Sequence, residues 1–277
     1  MFLKHVILVG KISKKPPMES THSKTGLFIV ADDLGLAESV NDGIIFLLKE
    51  SKINGASLMA SSEAFQDAID KIKTMDSPNI GIHFVLVEEK PLTSMVLPRN
   101  HKKFFIKYVL GLIKLADIEK ELRNQLNKVT NIGIRPQFMN SHQHLHLLPG
   151  IMDICIKLAI EYDIPYIRIV NEPVNLSDGK LFRKTQLAFL NFLSSMAKKK
   201  IRKAGLQSND FFVGFVNAGN LSEKDINKAK KLAEKYPDKV IELGCHLGYE
   251  DEELKRKYKH WGNYNWEREL ELLTNDK

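Results

Sequence analysis

The stretch Leu27-Phe28-Ile29-Val30-Ala31-Asp32-Asp33-Leu34-Gly35 decides how the chain is read: an apolar run ends in two adjacent carboxylates and a glycine. A short apolar run bounded by turn residues reads as a buried strand. Two acids at its end are costly to desolvate unless a cation meets them. Neighbouring strand residues point to opposite faces, but where a strand ends the backbone turns and both acids can reach one cleft. One acid can then hold a cation while the other moves protons, which points to a metal-assisted hydrolase. The competing reading is a helix N-cap with a solvated neighbour.

Working outward, short apolar runs alternate with helix-period stretches. Strands are expected over 27–31, 54–60, 79–85, 137–141, 165–169, 211–216 and 240–245. Helices are expected at about 39–51, 63–73, 117–130, 150–162, 181–203, 222–235 and 251–259. This alternation predicts parallel strands with crossover helices, and that many units in one domain favour a single α/β barrel, distorted or incomplete, over an open sheet. Residues 1–26 read as a flexible N-terminal extension and 27–277 as the barrel domain. In such barrels the chemistry sits at the C-terminal strand ends. Asp32 and Asp33, His83, His142 and His144, Arg168 and His246 all fall at or just past the ends of five expected strands.

At 277 residues, with 43% hydrophobic and 27% charged residues, the composition is that of an ordinary globular protein. No apolar run approaches the ~20 residues of a membrane span, and Val6-Ile7-Leu8-Val9-Gly10 is short for a secretory signal. Two cysteines, Cys155 and Cys245, are too few for a disulfide framework and fit a reducing compartment, so a cytoplasmic location is expected. The net charge of +7 is concentrated. From Lys180 to Asn209 the chain carries Lys180, Arg183, Lys184, Lys198, Lys199, Lys200, Arg202 and Lys203 and no acid.

An Asp-His-His set is a familiar facial ligand group for a divalent ion. His83 on its own also fits a satisfied core histidine. In Asn140-Ser141-His142-Gln143-His144-Leu145-His146, an extended backbone would put the three histidines on one face, whereas a polar loop would leave them at the surface. His146 is expected past the ligands, because Leu147-Leu148-Pro149-Gly150 starts a turn. His246 reads as a cap or a general acid.

At these residues the chain resembles the YdjC family of carbohydrate deacetylases, the ChbG/HpnK-like proteins, whose barrel is related to polysaccharide deacetylases. The resemblance rests on Ala31-Asp32-Asp33-Leu34-Gly35, Asn41-Asp42-Gly43-Ile44, Gly81-Ile82-His83-Phe84, Lys90-Pro91-Leu92, the 140–146 run and Cys245-His246, in order over about residues 27–250. It implies Asp33, His83 and His142 as ligands of one divalent ion, magnesium before zinc. It further implies Asp32 as general base, His246 as general acid and Arg168 as the residue orienting the base. A rim salt bridge is the competing reading of Arg168. His144 is placed as a substrate contact. Three departures stand out: Leu34 for the usual Phe, Asn140 where many members carry Asp, which removes a charge expected near His142, and Leu247 for the common Pro, which loosens the turn after His246.

The resemblance therefore implies hydrolysis of the N-acetyl group of an acetamido sugar, on an oligosaccharide or a lipid-linked glycan. A metal-dependent phosphoesterase and a non-catalytic basic binding protein are the alternatives. No nucleic-acid motif is present, and homodimerisation is left open. Residues 181–203, and a second stretch at 102–114, combine apolar stripes with lysines. They read either as peripheral membrane contacts or as core-facing helices with solvated lysines.

Overall fold

A computed structural model describes residues 26–173, 181–262 and 264–276. Apart from Gly26, the expected N-terminal extension lies outside the described residues. Seven parallel strands form the sheet: β1 (Leu27–Leu34), β2 (Gly55–Leu58), β3 (Ile80–Phe84), β4 (Phe138–Ser141), β5 (Tyr166–Ile167), β6 (Phe211–Val213) and β7 (Ile241–Cys245). Their order is β5-β4-β3-β2-β1-β7-β6. Around them lie α1 (Glu38–Lys49), α2 (Phe65–Ile72), α3 (His101–Val109), α4 (Leu115–Thr130), α5 (Ile151–Glu161), α6 (Leu181–Lys203), α7 (Glu223–Lys235), α8 (Glu252–Lys257) and α9 (Trp266–Asn275). This is the α/β barrel expected from the alternation.

The barrel is incomplete at one seam. β5 and β6 share no ladder; instead Gln207 bridges Tyr166, with Gln207 N–H donating to Pro165 O and Ile167 N–H donating to Gln207 O, both at 2.9 Å. One step on, the buried Asn209 amide takes a strand's place: it accepts from Ile169 N–H at 2.8 Å and donates to Ile169 O at 2.7 Å. That substitution is why β5 stops at Ile167 rather than the expected residue 169. β6 stops at Val213 rather than 216 because Gly214 turns the chain at φ 118°, and a Cβ there would lie 2.3 Å from Gly244 O.

Alternation along the strands sorts their side chains into two layers. Leu27 and Ala31 of β1 face the helices and join the main core, while Phe28 and Val30 point inward and pack with Phe138 and Tyr166. Gly81 makes room for that inner plug, since a Cβ there would sit 2.3 Å from the Phe138 ring. Continuing the inward register places Asp32, Ser57, His83, Asn140, Arg168 and Glu242 above the plug. The barrel interior is thus apolar at its floor and ionic at its mouth. Outside, α1 buries Val40, Ile44, Ile45 and Leu47, each contributing on the order of 1.5–3 kcal/mol.

The helices lie close to their expected spans, with two additions. α9 was not anticipated; it buries Trp266, Leu270 and Leu273. α3 covers the first part of the 102–114 stretch and ends before Gly111.

Candidate active site

Asp33 is where the strand's alternation breaks. Its φ of 65° lies in the left-handed region, which aspartate tolerates better than most residues, and the β1–β2 register shifts between Ala31 and Leu34. The turn brings Asp33 to the same cleft as inward-facing Asp32. Asn41 of α1 holds this turn: its Oδ1 accepts from Gly35 N–H at 2.6 Å, and its amide donates to Ala64 O and to Asp67. Three other site residues, Glu88 (φ 72°), Gln143 (φ 56°) and His144 (φ 54°), share this strained backbone region.

Asp32 is satisfied on both oxygens. Oδ1 accepts from Ser57 Oγ at 2.7 Å and from Asn140 Nδ2 at 2.9 Å, and Oδ2 accepts from Arg168 Nη1. Burial alone would raise the Asp32 carboxyl, but Arg168, aided by His83, outweighs it and holds the group well below the usual carboxylate range. Arg168 is itself fully buried and divides its charge: Nε donates to Glu242 Oε1, whose other oxygen accepts from Tyr166 Oη at 2.7 Å. The rim salt bridge considered for Arg168 is therefore an interior one that reaches Asp32.

The bonds around Asn140 fix the tautomer of His83. Asp32 Oδ1 can only accept, so Asn140 turns its amide nitrogen to Asp32 and its Oδ1 to His83 Nδ1, 2.6 Å away. Nδ1 thus carries the proton in neutral His83, and Nε2 presents a bare lone pair. That lone pair lies 3.2 Å from Asp33 Oδ1, yet Nε2 and Asp33 Oδ2 are both buried without a hydrogen-bond partner. A bare ring nitrogen facing a carboxylate across a buried gap is an arrangement that a cation resolves. Asn140 also departs from expectation: it touches His83 and Asp32, not His142.

His142 completes the cluster, with Nδ1 3.2 Å from the same Asp33 Oδ1. Ligand atoms of Asp33, His83 and His142 all lie within 4.8 Å of one another, and all three residues are buried. Behind His142, Nε2 faces Glu88 Oε2 at 3.2 Å, and Trp261 Nε1 donates to that oxygen at 2.7 Å. Burial by itself would lower the His142 imidazole; the Asp33 and Glu88 carboxylates outweigh it and push it up to about 10. Each nitrogen then carries a proton, and a divalent ion at Nδ1 would take the place of one. The donor set of one carboxylate and two imidazoles fits such an ion.

After Ser141 the chain does not stay extended. Residues His142–Leu147 form a 3-10 turn interrupted at Gln143 and His144, so the three histidines do not share a face. His144 turns toward Phe212 and Phe215, its ring 5.8 and 5.7 Å from theirs, and borders the same cavity as Asp32 and His142. His146 points away, as expected. Its Nε2–H donates to Arg168 O at 2.8 Å, and its Nδ1 accepts from Ser141 Oγ at 2.7 Å.

That neutral, fully paired His146 predicts acid lability. Burial lowers its pKa from 6.5 to about 4. As pH falls below 6.5, the unfolded chain takes up a proton that the folded protein refuses until about pH 4. Stability therefore declines across that window, by at most about 1.4 kcal/mol per pH unit. His146→Gln is expected to flatten the fall of the thermal midpoint between pH 6.5 and 4. An unchanged slope would show that His146 is not the group responsible.

His246 follows β7 on the opposite wall. Its backbone N–H donates to Glu269 Oε2 at 2.8 Å, and its ring meets Tyr264 edge-on at 5.3 Å. Nδ1 is buried without a partner, and burial lowers the imidazole's pKa despite the nearby Asp33 and Asp32. Leu247, in place of the usual Pro, is fully buried, so packing rather than a ring holds this turn. The cavity above these groups measures about 700 Å³, with Trp261 and Tyr264 on one side and Lys102 and Arg183 at its rim. Sequence reading missed Ser57, Glu88, Glu242, Glu269, Trp261 and Tyr264. Glu242 alone carried a signal, as a charge inside the apolar run Val240-Ile241-Glu242-Leu243.

Fold and site together define a class: α/β-barrel proteins with a carboxylate and two imidazoles converging, at the strand ends, into a candidate metal centre. Within that class the chain belongs to the YdjC-like protein family, whose model matches residues 26–277. A carbohydrate deacetylase of Danio rerio is 30% identical over 203 residues, 68% of this chain and 61% of that protein. One from Clostridium beijerinckii is 25% identical over 252 residues, 90% of this chain and 91% of that protein. The chain thus spans less than two thirds of the first of these relatives and nearly all of the second. A solved structure from Enterococcus faecalis V583, described as a candidate cellobiose-phosphate cleavage protein, shares the fold. Its TM-score is 0.67 at 20% identity, over 90% of each chain.

Proposed function

We propose that the chain is a metal-dependent carbohydrate deacetylase, hydrolysing the N-acetyl group of an acetamido sugar. The observation that carries this reading is the pair of partnerless buried acceptors, His83 Nε2 and Asp33 Oδ2, beside a carboxylate, Asp32, that Arg168 keeps ionised. The names of the relatives in Danio rerio and Clostridium beijerinckii supply the reaction class.

Asp33, His83 and His142 would hold one divalent ion, magnesium by the family resemblance, although two imidazoles suit zinc as well. When bound, that ion supplies a Lewis acid for the amide carbonyl and acidifies water beside it. Asp32 orients the attacking water and accepts its proton. Because Arg168 holds Asp32 low, it is a weak base that works only on a proton already loosened. His246 enters neutral, takes up the proton that Asp32 accepted from the water, and hands it to the leaving nitrogen, which leaves Asp32 ionised again. Trp261 and Tyr264 offer apolar faces for the sugar ring, and His144 borders the site from the far side. The products are acetate and a free amine.

A metal-dependent phosphoesterase is less well supported, because such sites usually hold two ions and the described residues gather one ligand cluster. The test is calorimetric titration with Mg²⁺ and Zn²⁺, alongside acetate release from N-acetylated sugars with and without EDTA. One ion per chain is expected, with binding lost in Asp33→Ala and acetate release abolished by EDTA. Release that survives EDTA would remove the metal from the mechanism. Ion binding without release from any sugar would move the reading to phosphate esters.

A further inference from the structure

Two helices leave apolar faces exposed beside the cavity. α3 buries Phe104 alone and exposes Phe105, Ile106 and Val109; Val109, Leu110 and Leu112 are 65%, 66% and 67% exposed. α6 buries Leu187, Ser194, Ala197 and Ile201, and on another stripe, at three- to four-residue spacing, exposes Phe189, Phe192 and Met196. An edge-to-face contact between Phe105 and Phe189, 5.9 Å between centroids, joins the two faces into one surface.

This surface is continuous with the mouth of the site. Asn100, His101 and Lys102, at the start of α3, and Arg183, at the start of α6, line the candidate catalytic cavity. The stretch that carries α3 is also cationic: Arg99, Lys102, Lys103, Lys107 and Lys114 occur with no acid between Arg99 and Ala116. The cluster at 198–203, part of the 181–203 stretch read as a peripheral membrane contact, lies at the other end of α6. There Lys198 and Arg202 border a second cavity with Gly26 and Val240, at the entry of β1 and β7. Lys198 pairs with Asp210 at 2.7 Å and Lys200 with Asp153 at 2.6 Å.

We propose that the α3–α6 face docks the protein on an anionic lipid bilayer, with the mouth of the cavity at the bilayer surface. Apolar side chains standing out from helix faces, interleaved with lysines and lacking acids, complement a boundary of acyl chains and phosphate head groups. No described helix is long and apolar enough to cross a membrane, so the contact lies on the surface. Docking of this face does not depend on the deacetylase reading, and vesicle binding is read without turnover.

The full chain is floated with vesicles of phosphatidylcholine alone or mixed with phosphatidylglycerol. Binding is expected only to the anionic vesicles, weakening as salt rises. Phe105→Ser/Phe189→Ser/Phe192→Ser should lower the partition about tenfold or more, with an unchanged thermal melt, since all three residues are exposed. Lys198→Gln/Lys199→Gln/Lys200→Gln should leave it as in the wild type. Acetate release from a soluble sugar should be the same in the triple phenylalanine variant, which separates this surface from the site. Three results would overturn the proposal: wild type that ignores anionic vesicles, phenylalanine variants that bind as well as wild type, or a dimer that the phenylalanine substitutions dissociate without any vesicle binding. The last would make the face a contact between two copies.

Discussion

Asp32→Asn is expected to lower acetate release by about 10²–10⁴-fold, the range that a positioned proton acceptor contributes, while divalent-ion binding persists. The substitution keeps the side chain's shape and most of its bonds. The amide oxygen can take the Arg168 hydrogen bond and the amide nitrogen can donate to Ser57 Oγ, so the one bond lost is that from the Asn140 amide, too little to open the barrel. What disappears is the oxygen lone pair with affinity for a proton. Asp33, His83 and His142 are untouched, so calorimetry should still count one ion per chain. A variant within a few-fold of the wild-type rate would mean that Asp32 only orients its neighbours and that another group accepts the proton. Loss of the ion along with the rate would mean that the two carboxylates act as one ligand set.

The largest effect on stability is expected from Arg168→Met, at about 3–5 kcal/mol, the cost of leaving a buried charge unpaired. The guanidinium is wedged between Asp32 and Glu242 with no exposure, so removing it strands two carboxylates. Arg168→Lys is expected to recover only part of the loss, because a single ammonium cannot meet two carboxylates on different sides as the planar fork does. Chemical denaturation of both variants measures this, and a loss below about 1 kcal/mol for the methionine variant would show that water already shields the pair. The pH profile gives a second reading. Asp32 is held low in the fold, so its ionisation stabilises above its ordinary value of 3.8 and is lost as pH falls below it. Without Arg168 that part of the acid sensitivity should shrink.

Much of this architecture was legible because the barrel writes its period into the sequence. The run 27–31 and the alternation behind it located the described strands, and Asp32, His83, His142, His144 and His246, all at strand ends, turned out to line one cavity, with Asp33 and Arg168 buried behind it. Asp33, His83 and His142 were brought together from positions far apart in the chain because they lie at the same ends of β1, β3 and β4, with β2 between the first two. What could not be read is what depends on the third dimension. Glu88, Glu89 and Lys90 look like an ordinary solvated charge run, yet Glu88 is drawn under Trp261 to meet His142. The 140–146 run alternates like a strand, but Gln143 and His144 adopt left-handed backbone, which nothing in their side chains announces. Asn140 looked like a lost charge beside His142; its value is directional, since an amide can give to Asp32 and take from His83 at once. The seam escaped because a side-chain amide at Asn209 replaces a strand, and amides in sequence carry no such label.

That seam has a bearing on how the protein survives at high concentration. A parallel sheet that fails to close leaves two raw strand edges, and such edges invite pairing with the same edge of another molecule. Here each is blunted: on the β5 side Asn209 occupies both hydrogen-bonding groups of Ile169 and Ser194 Oγ of α6 accepts from Val170 N–H at 2.9 Å, and on the β6 side Phe212 N–H donates to Asn171 O at 3.0 Å. One helix thereby guards against self-association with its inner side while its outer side stays greasy. Solubility and adhesion are divided between the two faces of a single helix.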